Sequence, residues 1–238
     1  MFSRSNFVQT SASALRSTGR STSTFRTLFG FIQQKVRIMA TGTPSASAQA
    51  QQNADATSAT LSSYDIKNKP INEAPGVKLS ESQKVVVGSI LDLFSGNPTL
   101  KHLSLWHRDA IFADNITSAA GYDKFAAQWY GLPAVFSPIH IQSHKVTSAG
   151  NPIVMDLSNK YVVKGLKTEK IMDSVVKIHI DGDGKIEKVE DKWNGNLPEG
   201  GVAEAFRKLN AVTVPTMVQV PKTEEEDLKM KAEREKSS

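Results

Sequence analysis

Between Pro138 and Asn194 the chain passes through four stretches that alternate apolar and polar residues, at about 138 to 148, 152 to 164, 170 to 180 and 185 to 194. They are joined by AGNP, by a short turn around Gly165 and by DGDG, and links this short fold each strand back antiparallel on the one before it. Just ahead of them, GYDKFAAQWYGLPAVF places Tyr122, Phe125, Ala126, Trp129 and Tyr130 at helical spacing, until Gly131 and Pro133 break the pattern. An aromatic helix followed by a meander predicts the α+β class, with a curved antiparallel sheet wrapped around a helix. Such a sheet tends to enclose a pocket.

Alternation assigns the faces. In PIVMDLSNKYVVKG, Met155, Leu157, Asn159, Tyr161 and Val163 share the inward side, and in the next strand Met172, Ser174, Val176, Ile178 and Ile180 do. His179 falls on the outer side. In the last strand Val189, Asp191 and Trp193 oppose Lys188, Glu190 and Lys192, so a carboxylate shares the apolar face with a tryptophan. A buried carboxylate must raise its pKa or find donors, which makes Asp191 the leading candidate for an acid, a base or a ligand-orienting group. The competing expectation is a structural aspartate that accepts hydrogen bonds from backbone or from a tryptophan indole. Asp114 is the second candidate, sharing a face with Phe112 and Ala110 in AIFADN; it too has a structural alternative, as a helix or turn cap. Met155, Leu157, Val176, Val189, Trp193 and Trp129 are the expected pocket lining, although Trp129 and Tyr130 on a helical stripe also suit a packed core.

The rest of the chain divides by composition. No Asp or Glu occurs up to Ala54, while Arg4, Arg16, Arg20, Arg26, Lys35 and Arg37 do; taking these six from the 29 Lys and Arg leaves 23 against 24 Asp and Glu. The formal +5 therefore belongs to a leader, and a nucleic-acid partner loses the basic footprint it needs. Residues 1–39, rich in Ser, Thr and Arg with spaced apolar residues, have the make-up of a mitochondrial transit peptide and predict the matrix as destination. If translation starts at Met39 instead, the protein is cytoplasmic. Residues 40–76 read as a disordered linker of Ala, Ser, Thr and Gln leading to Pro70 and Pro75. A folded unit at 77–222 opens on a helix that Ser80 and Gln83 can cap reciprocally and that SGNP closes. A short helix at about 99 to 106, a strand in DAIFADN and a late helix in GGVAEAFRKLNAV complete it, and 223–238 is expected to be a charged, solvated tail with no core role. Without cysteine there is no disulfide, thiolate metal site or cysteine nucleophile. No apolar run approaches the roughly 20 residues a membrane span needs, so no membrane partner is expected.

His140 and His144 would chelate from a helix, but Pro138, Ile139 and Ile141 make PIHIQSH a strand, on which the two lie about 13 Å apart; no metal is expected. DGDGKIEKVEDK has Ile186 and Lys192 where a calcium loop needs Gly and Glu. No phosphate-binding glycine loop and no GxSxG elbow is present, and no cofactor is implied.

The order of elements, GYDKFAAQWYGLPAVF and the closing hairpin DGDGKIEKVEDKWNG resemble the SnoaL-like group of the nuclear transport factor 2-like superfamily. The stretch from about Leu91 to Lys222 is similar to fungal proteins of that superfamily. The resemblance implies a cone of cystatin-like topology, often a homodimer through the outer sheet face. It also implies a pocket for a small hydrophobic molecule, with a pocket Asp or His as general base in isomerases, cyclases and dehydratases. Asp191 or Asp114 would be that base and Tyr161 a hydroxyl donor. No isomerase Tyr/Asp/Asp set and no dehydratase histidine pair matches, and non-catalytic binding or assembly modules share the fold.

Overall fold

The computed structural model describes residue 51 and residues 57–195, 198–212 and 218–236. The expected leader at 1–39 lies outside the described residues. In order the elements are α1 (Glu81–Phe94), α2 (Leu100–Leu103), β1 (Trp106–Ala113), β2 (Ser118–Ala120), α3 (Tyr122–Val135), β3 (Phe136–Ser148), β4 (Ile153–Val163), β5 (Glu169–Ile180), β6 (Ile186–Trp193), α4 (Gly200–Val212) and α5 (Glu224–Lys236). The six strands form one open sheet in the order β2-β1-β6-β5-β4-β3. The class is α+β, and the sheet is curved and unclosed.

The meander β3 to β6 is antiparallel throughout. Along β4 the inward residues Ile153, Met155, Leu157, Asn159, Tyr161 and Val163 are all buried, and none of those between them is. The DGDG turn closes on Asp181, whose Oδ1 accepts the N–H of Asp183 and of Lys185, both at 2.9 Å. Pairing shifts three times along β3, and such bulges bend a strand and add twist.

A fully antiparallel sheet is not what forms. β1 lies parallel to β6, with Phe112 beside Val189 and Ala113 beside Glu190; the chain between them passes through α3 and four strands, the long connection that parallel pairing needs. The short helix ends at Leu103, and β1 begins already at Trp106. Helix α3 does not stop at Gly131 or Pro133 but runs to Val135. A proline inside a helix costs about 3 kcal/mol, which burial of the whole span Phe125–Leu132 offsets.

Helix α1 has the expected cap: Ser80 Oγ accepts from Gln83 N while Gln83 Oε1 accepts from Ser80 N. Every residue from Val85 to Phe94 is buried, the signature of a helix enclosed on all sides. Part of that enclosure comes from the stretch expected to be a linker. Residues 57–63 are helical, Leu61 and Ile66 are buried, and a Cβ on Gly88 would lie 2.8 Å from Ile66 Cγ2. The isolated bridge from Glu73 to Val146 extends the contact to the β3 edge. Apolar composition was too sparse to announce this, because two well-placed side chains suffice where α1 offers a full apolar circumference.

The charged tail is likewise docked. Asp227 of α5 is buried, accepting the Tyr130 hydroxyl at 2.7 Å and the Leu100 N–H at 2.8 Å. Arg234 donates to the Pro98 carbonyl at 2.7 Å and lies 5.8 Å from the Tyr130 ring centre. Lys231 pairs with Asp65, and Lys67 with Glu235. No described helix is long and apolar enough to cross a membrane.

Candidate functional site

Parallel pairing of β1 with β6 decides the site. Because Phe112 stands beside Val189, two residues further along each chain bring Asp114 next to Asp191. Both carboxylates border one small cavity, together with Tyr161 of β4, Gln128 and Trp129 of α3, Trp193 of β6, and Phe206 and Leu209 of α4. Its volume is about 20 Å³, room for roughly one water molecule.

Asp191 is only 5% exposed. Its Oδ2 accepts the indole N–H of Trp193, two residues on along the same face, at 2.7 Å. Its Oδ1 is buried with no hydrogen-bond partner; the nearby Ser174 hydroxyl favours the anion without meeting hydrogen-bond geometry. Burial, with a smaller contribution from the charge of Asp114, pushes the pKa up to about 6 against the opposing pull of Ser174 and Trp193. Asp114 is half-buried. Its Oδ1 accepts the N–H groups of Ile116 at 2.8 Å and Thr117 at 2.6 Å, a turn-capping geometry. Burial raises its pKa too, against those donors.

The Tyr161 hydroxyl is held in its protonated form by burial and by the Asp191 charge, both of which raise its pKa. Two more polar atoms without partners belong to residues at the same cavity: Gln128 Oε1 and Trp129 Nε1. A buried polar group left unpaired costs about 1–3 kcal/mol, and three of the six such side-chain atoms among the described residues belong to residues at this cavity.

The cover is α4. Val202, Ala205, Phe206 and Leu209 form its buried stripe. The Phe206 ring packs at 5.2 Å from Trp193, 5.8 Å from Tyr161 and 4.8 Å from Phe136. A bond of 2.6 Å from Thr117 Oγ1 to Asn210 Oδ1 ties the helix to the turn that Asp114 caps.

Of the expected lining, Trp129 and Trp193 border this cavity. Met155, Leu157, Val176 and Val189 face the same side of the sheet but are buried in the general core, away from it. Gln128, Phe206 and Leu209 were not foreseen at the site. The apolar spacing of Val202, Ala205, Phe206 and Leu209 announced an amphipathic helix, but nothing local says over what it closes. Tyr130 serves the α5 contact instead of the cavity.

Other titratable groups have structural duties. His140 and His144 are separated by a bulge between Ile141 and Ser143, which turns them to opposite faces. His144 Nε2 accepts the Asn72 N–H at 3.1 Å, and burial lowers its pKa. His179 is not free on the surface: it lies 3.1 Å from Glu190 and is half-buried. Asp92 and His102, both fully buried and 3.4 Å apart, went unnoticed in the sequence. Asp92 accepts from Lys67 N, Asn68 N and Asn68 Nδ2, and neither residue of the pair borders the Asp191 cavity.

No protein-family model matches the chain, and no curated protein does. Solved structures similar to it are described as nuclear transport factor 2-like or ketosteroid isomerase-like. One is a steroid delta-isomerase from Pseudomonas aeruginosa, 15% identical over 59% of this chain and 97% of that one, with a TM-score of 0.44. Another is an NTF2-like protein of unknown function from Burkholderia pseudomallei, 12% identical over 56% and 98%, TM-score 0.43. A third is a putative polyketide cyclase from Xanthomonas campestris, 13% identical over 56% and 98%, TM-score 0.40. At these identities and scores the likeness carries no weight for the chemistry, which rests on the cavity itself.

Proposed function

We propose that this SnoaL-like domain takes a small, largely apolar molecule beneath α4 and acts on it by acid–base chemistry. Asp191 removes a proton from a carbon next to a carbonyl, and the Tyr161 hydroxyl donates to the oxyanion that develops. The observation that carries this reading is the unpartnered, buried Oδ1 of Asp191 at an aromatic cavity. A base with a pKa near 6 is close to the range in which general-base catalysis is efficient at neutral pH. Because about 20 Å³ admits no substrate of this kind, binding must displace Phe206 and Leu209. Exchange of the α-protons of an enolisable ketone such as 2-tetralone into heavy water, followed by NMR, tests the chemistry. The unaltered protein should accelerate exchange, and Asp191→Asn should slow it about 100-fold or more. Equal rates for the two would remove Asp191 from any such role.

The smallness of that cavity favours a second reading, a non-catalytic binding or assembly module that dimerises through the outer sheet face. Light scattering coupled to size exclusion decides the oligomeric part: a mass of one chain at all concentrations would rule out the dimer. The composition of residues 1–39 supports delivery to the mitochondrial matrix. A reporter fused behind those residues that stays diffuse in the cytosol would contradict it.

A further inference from the structure

Phe136, packed on Tyr161 and Phe206, also borders a separate groove of about 320 Å³. That volume lies within the lower range of small-molecule sites. Its walls are the Ser95–Asn97 turn after α1, Pro133 near the end of α3, the start of β3 from Ser137 to His140, Lys164 beyond β4, Lys67, and Arg234 with Glu235 from the last turns of α5. The docked tail therefore supplies one wall of the groove. Gly96 is bound to its place there: its φ is +74° and a Cβ would lie 2.9 Å from Ile139 Cδ1.

The chemistry of the walls is two-sided. Pro133, Pro138 and Ile139 supply apolar surface, with Pro138 exposed and the other two half-buried. Lys67, Lys164 and Arg234 supply three positive charges against the single lining carboxylate of Glu235. Glu235 is 2.9 Å from Lys67, whereas no carboxylate among the described residues pairs with Lys164. Arg234 is a cation fixed in place, steadied by the Pro98 carbonyl and the Tyr130 ring.

We propose that this groove is a binding site for an amphipathic anion, a small molecule with a phosphomonoester head and a short aliphatic tail. The head lies between Lys164 and Arg234, with Lys67 contributing once an anion competes for it, and the tail lies on Pro133, Pro138 and Ile139. None of these six residues borders the Asp191 cavity, so the site stands or falls independently of the acid–base reading.

Calorimetric titration of the full chain with octyl phosphate, octanol and inorganic phosphate in parallel tests the assignment. Octyl phosphate should bind one per chain, at least tenfold more tightly than either of the others. Lys164→Glu, at an exposed position, should weaken it at least tenfold with circular dichroism unchanged, and salt near 0.5 M should weaken it similarly through screening. Asp191→Asn should leave it unaltered. Equal binding of octanol would overturn the anionic half of the proposal, and equal binding of inorganic phosphate the apolar half. No binding, full affinity in Lys164→Glu, or loss in Asp191→Asn would overturn the site as a whole.

Discussion

At pH 7 the Asp191 side chain is ionised inside an aromatic enclosure, and the fold is less stable for it. Its folded pKa is about 6, while an unfolded aspartate titrates at about 3.9. The folded chain therefore holds this proton more tightly than the unfolded one. The stability that comes with protonation is fully present below about pH 4 and is lost as pH rises through 6. Asparagine keeps an acceptor for the Trp193 indole but has no charge to desolvate. Urea unfolding should accordingly show Asp191→Asn gaining on the wild type between pH 4 and pH 7.5 by on the order of 2 kcal/mol; a constant difference across that range would mean an unburied carboxylate. His144 behaves in the opposite sense. Its neutral Nε2 must accept from Asn72, and burial lowers its pKa, so its contribution is present above about pH 6.5 and is lost as pH falls. Hydrogen-exchange protection of the Asn72 amide should drop in acid, and His144→Ala should abolish both that protection and its pH dependence.

Helices α4 and α5 are held by different forces, and their variants should respond differently. Phe206 anchors α4 through three aromatic neighbours. Phe206→Ala should cost about 3–5 kcal/mol, and the enlarged cavity should take up a small aromatic such as indole or benzene. Chemical shifts of the Trp193 indole would report the uptake, and an unresponsive Trp193 would place the ring elsewhere. Helix α5 depends on the polar cluster around Asp227. Truncation after Lys222 would take away the acceptor of the Tyr130 hydroxyl and of the Leu100 N–H. Unfolding should then be easier by about 2 kcal/mol or more, where a solvated tail would give no change. The docking of α5 was not legible in the sequence because its partners are dispersed single polar groups, Tyr130, Pro98 and Asp65, that leave no periodic trace. The meander was legible, because the inward and outward residues of β4 alternate without a fault over eleven positions and DGDG can only turn.

For the molecule as a whole, the enclosure of α1 and the meeting of two strands distant in sequence matter most, and both were hidden. Local periodicity identified Asp114 and Asp191 as inward-facing but said nothing of the β1–β6 pairing that puts them together. Nor could the sparse apolar residues of 57–76 reveal that Leu61 and Ile66 complete the core, or that Lys67 and Asn68 supply the donors for buried Asp92. A chain beginning at Val77 should therefore lose about 3 kcal/mol or more, since a buried carboxylate deprived of its partners is costly. Equal stability of the long and short chains, measured by thermal unfolding, would make 57–76 a linker after all. The chemistry proposed for this fold requires that Asp191 be buried with a free acceptor oxygen beneath α4. Carbon-13 NMR titration of its carboxyl group, assigned by difference against Asp191→Asn, measures this directly. The midpoint should lie near 6; one at or below about 4, the value of a solvated aspartate, would mean that Asp191 is not buried in this way.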